Sequence, residues 1–278
     1  MQHLTRLIAE ARKKGISGEQ QIFNIIREYL QVLILKAIYQ SKYGKGLSFM
    51  RGTCLRICHD LKRYSEDLDF ALDWKIPKYS FEELNKTIVS FLKNTDFEVD
   101  LSIDEEKIVQ KSFIRVSKVL HAFRLSPLKA QKIHVKIEVD TNPVKVSKNE
   151  VETFFVTKFD EIFPIIKHTD ETMFAGKICA VFNSAYTKGR DFYDLIWYLN
   201  KKMGINFEYL NKALKQQGGD VSFQNKRELL HALQKKIESV KTEEIMKDIG
   251  RFLEDPLEEK WIQNYPAVFL QAAKRFET

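Results

Sequence analysis

Two aspartates separated by one apolar residue, Asp67-Leu68-Asp69, open the otherwise apolar run that continues through Phe70, Ala71 and Leu72. In extended chain alternate side chains share a face, so the two acids lie side by side while Leu68, Phe70 and Leu72 turn toward a core. Like charges held that close repel each other. A divalent cation between them relieves the repulsion, and so does water along the wet edge of a sheet; the pair alone leaves both readings open.

The residues upstream bear on that choice. A short apolar run ends at Met50, and Gly52-Thr53 leads into residues 54–61, where Leu55, Ile57, Cys58 and Leu61 recur at helical spacing. A glycine at a strand-to-helix junction lets backbone N–H groups approach a ligand closely, and a helix start favours anions. Strand, Gly-Thr turn, helix and acid-bearing strand would together put a phosphate cradle next to a metal pair.

Arg51-Gly52-Thr53-Cys54-Leu55 followed by Arg63-Tyr64-Ser65-Glu66-Asp67-Leu68-Asp69-Phe70 resembles the AbiEii/AbiGii (MenA-like) nucleotidyltransferase toxins of type IV toxin–antitoxin and phage-defence (abortive infection) systems. These belong to the DNA polymerase β-like nucleotidyltransferase superfamily and carry Gly-Gly-Thr-x-Leu and Arg-(aromatic)-Ser-Glu-Asp-Leu-Asp patterns. Arg51 stands here in place of the first glycine.

The resemblance implies that Asp67, Asp69 and a third carboxylate from a neighbouring strand hold two magnesium ions, since a three-carboxylate set supplies the oxygen ligands that such a metal pair takes. Residues 132–140 alternate, with Val135, Ile137 and Val139 facing one way and His134, Lys136, Glu138 and Asp140 the other. Lys136-Ile137-Glu138-Val139 is similar to the family's second motif and makes Glu138 the implied third acid, with Asp140 as the fallback. Lys177 matches the third motif's lysine, which contacts nucleotide phosphates. On the residues alone it could equally be a lysine snorkelling to solvent from an apolar segment.

Lys188-Gly189-Arg190-Asp191-Phe192-Tyr193-Asp194-Leu195 resembles the fourth motif. Its acid falls on Asp194, with Asp191 beside it one helical turn away. Read without the family, Asp191 is a helix-start acid favoured by the macrodipole, with Arg190 as a surface partner. The implied catalytic set is therefore Asp67, Asp69, Glu138, Lys177 and Asp194. The implied nucleotide-binding set is Gly52, Thr53, Lys177, Asp191 and Asp194. A nucleoside triphosphate is the implied substrate, the tRNA 3′ end the implied acceptor, and a separate antitoxin the implied partner. A protein or small-molecule hydroxyl as acceptor, or a non-catalytic RNA-binding module on the same scaffold, are the competing readings.

Bulk properties agree with a nucleic-acid partner without naming one. The formal net charge is +7 over 278 residues, which attracts polyanions. With 44% hydrophobic and 30% charged residues the chain reads as globular. The most apolar stretch, residues 29–39, is interrupted by Gln31 and Lys36, so no membrane span is expected, and the first residues lack a signal-peptide layout. A cytoplasmic protein is the expectation. Three cysteines are too few for a disulfide framework. Cys54 and Cys58, with His59, share a helix side but find no second pair to complete a zinc site, and read as packing residues.

The expected fold is α/β: a polymerase β-like mixed sheet with flanking helices over residues 1–168, and a mostly helical lobe over 169–278 that contributes the active-site lysine and aspartate, with the cleft between them. A long helix is expected over residues 17–43, started by a capping box at Ser17-Gly18-Glu19-Gln20 and ended by Gly44-Lys45-Gly46. A second, capped at Ser80, runs to Asn94. Strands are expected at 97–103, 113–119, 132–140 and 154–159.

Overall fold

The computed structural model describes residues 1–183 and 187–277. The chain divides into two compact units. The first comprises Met1–Asp60, Tyr64–Pro143 and Val151–Lys167; the second comprises Leu61–Arg63, Val144–Glu150 and His168–Thr278. Among the described residues no helix is long and apolar enough to cross a membrane.

The first unit is built on a sheet preceded by helices α1 (Gln2–Lys13) and α2 (Glu19–Gln40). Strand β1 (Leu47–Met50) runs into α3 (Arg51–His59), then β2 (Asp67–Leu72) and α4 (Phe81–Asn94). Next come β3 (Val99–Asp104), β4 (Val109–Val116), the single turn α5 (Val119–Ala122), β5 (Ile133–Asp140), β6 (Val151–Lys158) and β7 (Glu161–His168). Among the described residues these strands form one seven-stranded sheet in the order β3-β4-β5-β2-β1-β7-β6. It is mixed: β1 pairs antiparallel with β2 and parallel with β7, while β5 pairs parallel with β2 and antiparallel with β4.

Alternation along the strands does what the sequence predicts. Leu47, Phe49, Leu68, Phe70, Val135, Ile137 and Val139 are buried, all at 1% exposure or less. Leu72, at the strand end, is only half-buried. Helix α2 is apolar nearly all round, which is the pattern of a helix surrounded by protein. It buries Ile22, Ile26, Leu30, Leu33, Ile34 and Ile38 together with the polar residues Arg27, Glu28 and Gln31. Each of these finds a partner. Arg27 pairs with Glu66 at 3.1 Å, Glu28 with Arg56 at 3.0 Å and with Lys158 at 2.8 Å, and the Gln31 amide donates to the Ser65 carbonyl at 3.0 Å.

Two expectations need correction. The capping box at Ser17 does not form: the cap is Gly18, with no side-chain cap bond, because the helix starts at Glu19 and leaves Ser17 one position too early. The expected strand at 154–159 is the second half of β6, and β7 follows it at once through Phe159 and Asp160, both at positive φ. Two successive positive-φ residues make a tight hairpin turn matched to the twist of the flanking strands.

The second unit holds α6 (Asp170–Asn183), α7 (Gly189–Asn200), α8 (Phe207–Gln216), α9 (Lys226–Glu238), α10 (Thr242–Ile249), the single turn α11 (Glu259–Ile262) and α12 (Tyr265–Glu277). Phe174 of α6 stacks on Tyr198 of α7 with centroids 4.5 Å apart, and the Tyr265 hydroxyl of α12 donates to the Phe192 carbonyl at 2.8 Å. The start of α7 lies directly against α10. A Cβ on Gly189 would fall 2.1 Å from the Ile245 carbonyl oxygen, so only glycine fits there.

Candidate active site

Strand register assembles the acids of the first unit. In the parallel pair β2–β5, Asp67 stands opposite Lys136 and Asp69 opposite Glu138. Directly opposed residues project to the same side of a sheet, so all four side chains share a face. Arg51, the first residue of α3, reaches the same face: its Nη1 lies 2.9 Å from Asp69 Oδ1 and 3.6 Å from Glu138 Oε2. Lys136 Nζ is 2.5 Å from Glu138 Oε1 and 4.0 Å from Asp67 Oδ2, and Lys111 Nζ is 3.4 Å from Glu138 Oε1.

The electrostatics follow from this crowding. Burial, and then the neighbouring Asp69 charge, push the Asp67 carboxyl up to about 6. Burial also raises Asp69, against the pull of Arg51. Burial alone would raise Glu138 too, but the Lys136 hydrogen bond and the charges of Lys136, Arg51 and Lys111 outweigh it and hold this carboxyl below its usual range.

The donor set, two acids on one strand and a third in register on its neighbour, is hard oxygen of the kind a divalent magnesium takes, and its members are costly to ionise together. As the side chains stand, no three carboxylates, thiols or imidazoles among the described residues close on one point that could hold an ion. The chain's own cations occupy those oxygens.

The fold also shows what the rest of the signature does. Tyr64 lies under the Arg56 guanidinium, 4.5 Å from the ring centroid, while Ser65 and Glu66 anchor α2 as described above. Gly52 and Thr53 are buried, and the Thr53 hydroxyl donates to the Asp67 carbonyl, tying α3 to β2. What these two residues present at the helix start is backbone N–H, not the hydroxyl. Cys54 and Cys58 are unoxidised, with sulfurs 3.9 Å apart.

The second unit holds a separate cluster of four charges. Lys177 of α6 does not snorkel to solvent: it is 8% exposed, and its Nζ lies 2.5 Å from Asp191 Oδ1 and 2.9 Å from Asp194 Oδ2. Asp194 is wholly buried and receives two further bonds from Arg63, Nε to Oδ1 at 2.7 Å and Nη2 to Oδ2 at 2.6 Å. Burial would deprotonate Lys177, but Asp191 and Asp194 outweigh it and raise the lysine's pKa. Burial would likewise raise Asp194, yet Arg63 and Lys177 hold it below the usual range.

Asp194 therefore has no surface of its own, and its carboxylate oxygens are bonded to Lys177 and Arg63. Arg63 opens the quoted signature, but the motif reading gave it no role, because its partner lies 131 residues away. An open cleft of about 410 Å³ in the same unit, lined by residues that include Lys145, Glu150, Asn206 and Lys212, contains none of the four.

Among solved structures, JHP933 from Helicobacter pylori matches over 91% of this chain and 93% of its own, with 18% identity and a TM-score of 0.56. A second H. pylori protein, solved as a candidate nucleotidyltransferase, matches over 91% and 96% with 19% identity and a TM-score of 0.54. These likenesses establish a shared α/β fold. Comparison with curated proteins finds no match. A family model described as nucleotidyl transferase AbiEii toxin, type IV TA system, matches residues 33–272. The chain thus belongs to the AbiEii nucleotidyltransferase toxin family of type IV toxin–antitoxin systems.

Proposed function

We propose that this family member is a magnesium-dependent enzyme that transfers a nucleotide from a nucleoside triphosphate to an RNA acceptor, the tRNA 3′ end, releasing pyrophosphate. The observation that carries the reading is the register of β2 on β5, which sets Glu138 against Asp69 beside Asp67. In the transfer the acceptor hydroxyl forms a bond to the α-phosphorus as the bond to pyrophosphate breaks, and the hydroxyl proton leaves to a base.

Asp67, Asp69 and Glu138 are the residues that would hold two magnesium ions. Bound there, the ions would supply Lewis-acid charge to the attacking and leaving oxygens. Asp67 is the most exposed of the three, at 32% of its side chain against 11% and 13%.

Lys177, kept charged by Asp191 and Asp194, is assigned to the triphosphate, where an ammonium offsets accumulating negative charge. Gly52 and Thr53 offer the N–H groups of a helix start to phosphate oxygens. Blocked tRNA ends would stop translation in the cytoplasm, and a cognate antitoxin would oppose the reaction.

The decisive assay supplies magnesium, each α-labelled nucleoside triphosphate, purified tRNA and a cell extract. Label is expected in tRNA, and Asp69→Asn is expected to lower incorporation by at least about a thousandfold while the far-ultraviolet circular dichroism stays unchanged. Label in protein or in small molecules transfers the chemistry to another acceptor. Full activity in Asp69→Asn refutes the metal assignment, and RNA binding that survives chelation with no pyrophosphate release favours a non-catalytic module.

A further inference from the structure

Arg51 is an odd residue to find at its place. Its φ is +65°, in the left-handed region that glycine enters freely and an arginine enters only at a cost. It opens α3 directly beside the acids, and its side chain is 52% exposed while those of Asp69 and Glu138 are 11% and 13% exposed. The guanidinium thus sits at the mouth of the carboxylate cluster, touching the two acids that face each other across β2 and β5. With Lys136 and Lys111 it brings three positive charges to three negative ones.

A divalent ion bound by Asp69 and Glu138 needs the oxygens that Arg51 now engages. Both cations cannot hold them in the same geometry. Binding the metal alone therefore strands a guanidinium that loses its anions, whereas binding it with a triphosphate gives that guanidinium new ones. The planar fork of arginine pairs with phosphate oxygens in the same two-point manner as with a carboxylate, and the half-exposed side chain has the freedom to swing from one to the other.

We infer that Arg51 is a resident counter-cation of the carboxylate site: it opposes binding of a divalent metal by itself, and once displaced it holds the phosphates of the nucleotide. Metal and nucleotide then bind with positive cooperativity, and each strengthens the other by the same factor. The inference rests on the nucleotidyl-transfer reading and deepens it, giving this chain's departure from glycine a role in the order of binding. Lys136 and Lys111 contribute to the same balance, but Arg51 is the one attached through a strained backbone position and the one that bridges both facing acids.

The test is calorimetric and independent of turnover. The full chain is titrated with Mn2+ alone, then with each nucleoside 5′-[α,β-imido]triphosphate in the presence and absence of Mn2+, for wild type, Arg51→Gly, Arg51→Lys and Asp69→Asn. Glycine suits the positive φ, so Arg51→Gly is expected to fold, with unchanged circular dichroism. It should bind Mn2+ alone about tenfold more tightly and the nucleotide analogue with Mn2+ about tenfold more weakly, the scale of one charge-assisted contact. The coupling factor should fall toward one, and Arg51→Lys should lie between the two.

Metal affinity that is unchanged or weakened in Arg51→Gly, while Asp69→Asn abolishes binding, overturns the inference and leaves the transfer reading standing. A wild-type chain that binds no Mn2+ with or without nucleotide, or an Asp69→Asn variant that binds it equally well, overturns both.

Discussion

Asp67 carries a pH signature that follows from its surroundings. Its carboxyl is raised from 3.8 to about 6 by burial and by the Asp69 charge, so between those values the folded protein holds a proton that the unfolded chain releases. Ionising this group opposes folding: the penalty sets in as pH rises above about 4 and is complete above about 6. The urea midpoint should therefore gain a component between pH 7.5 and pH 5 that Asp67→Asn lacks, and equal slopes in the two proteins would contradict the burial argument. Metal affinity should move the opposite way, falling below pH 6, because the ion needs the carboxylate. That Asp67 and Asp69 share a face could be read in advance, since a period of two dictates it, and the family resemblance implied Glu138 as the third acid. The occupation of their oxygens by Arg51, Lys136 and Lys111 could not, because it depends on which strand lies beside β2.

Element starts and stops show the same division. Ser80 was legible as a cap because the signal is local: its hydroxyl oxygen accepts from the Glu83 N–H at 3.1 Å, as the Ser-x-x-Glu spacing requires. Ser80→Ala should lower the unfolding free energy by about 1 kcal/mol, measured in urea, with the m-value unchanged. The equally good signal at Ser17 failed by one residue, an error a local pattern cannot detect. Strand β4 begins at Val109, four residues before the expected start, because Ser112 is polar yet wholly buried with its hydroxyl donating to Asn85 Oδ1 at 2.6 Å. Strand β7 escaped notice altogether: Pro164 lies within it, and its turn uses Phe159-Asp160 in place of the glycine-bearing pairs that announce a hairpin.

At the scale of the whole chain, the segment Leu61–Arg63 belongs with the helical unit although it lies between α3 and β2 in sequence. Arg63 is 1% exposed and supplies the bidentate partner of Asp194, which itself has no exposure. Removing one partner of a buried pair leaves an uncompensated charge, so Arg63→Ala should cost about 3–5 kcal/mol in denaturant unfolding. A cost under about 1 kcal/mol would show that water or Lys177 compensates, and would undo the structural role assigned to Arg63. By itself the sequence determined the α/β class, the family, the core-facing alternation of β2 and β5, and the acids that carry the candidate chemistry, because each of these is written in short-range periodicity or contiguous motifs. Tertiary structure alone decided that Thr53 and Asp194 are buried, that Arg63 serves the helical unit, and that Arg51 pairs with Asp69 and Glu138. Those outcomes depend on contacts between residues far apart in the chain, whose free energies exist only once the strands and helices have packed.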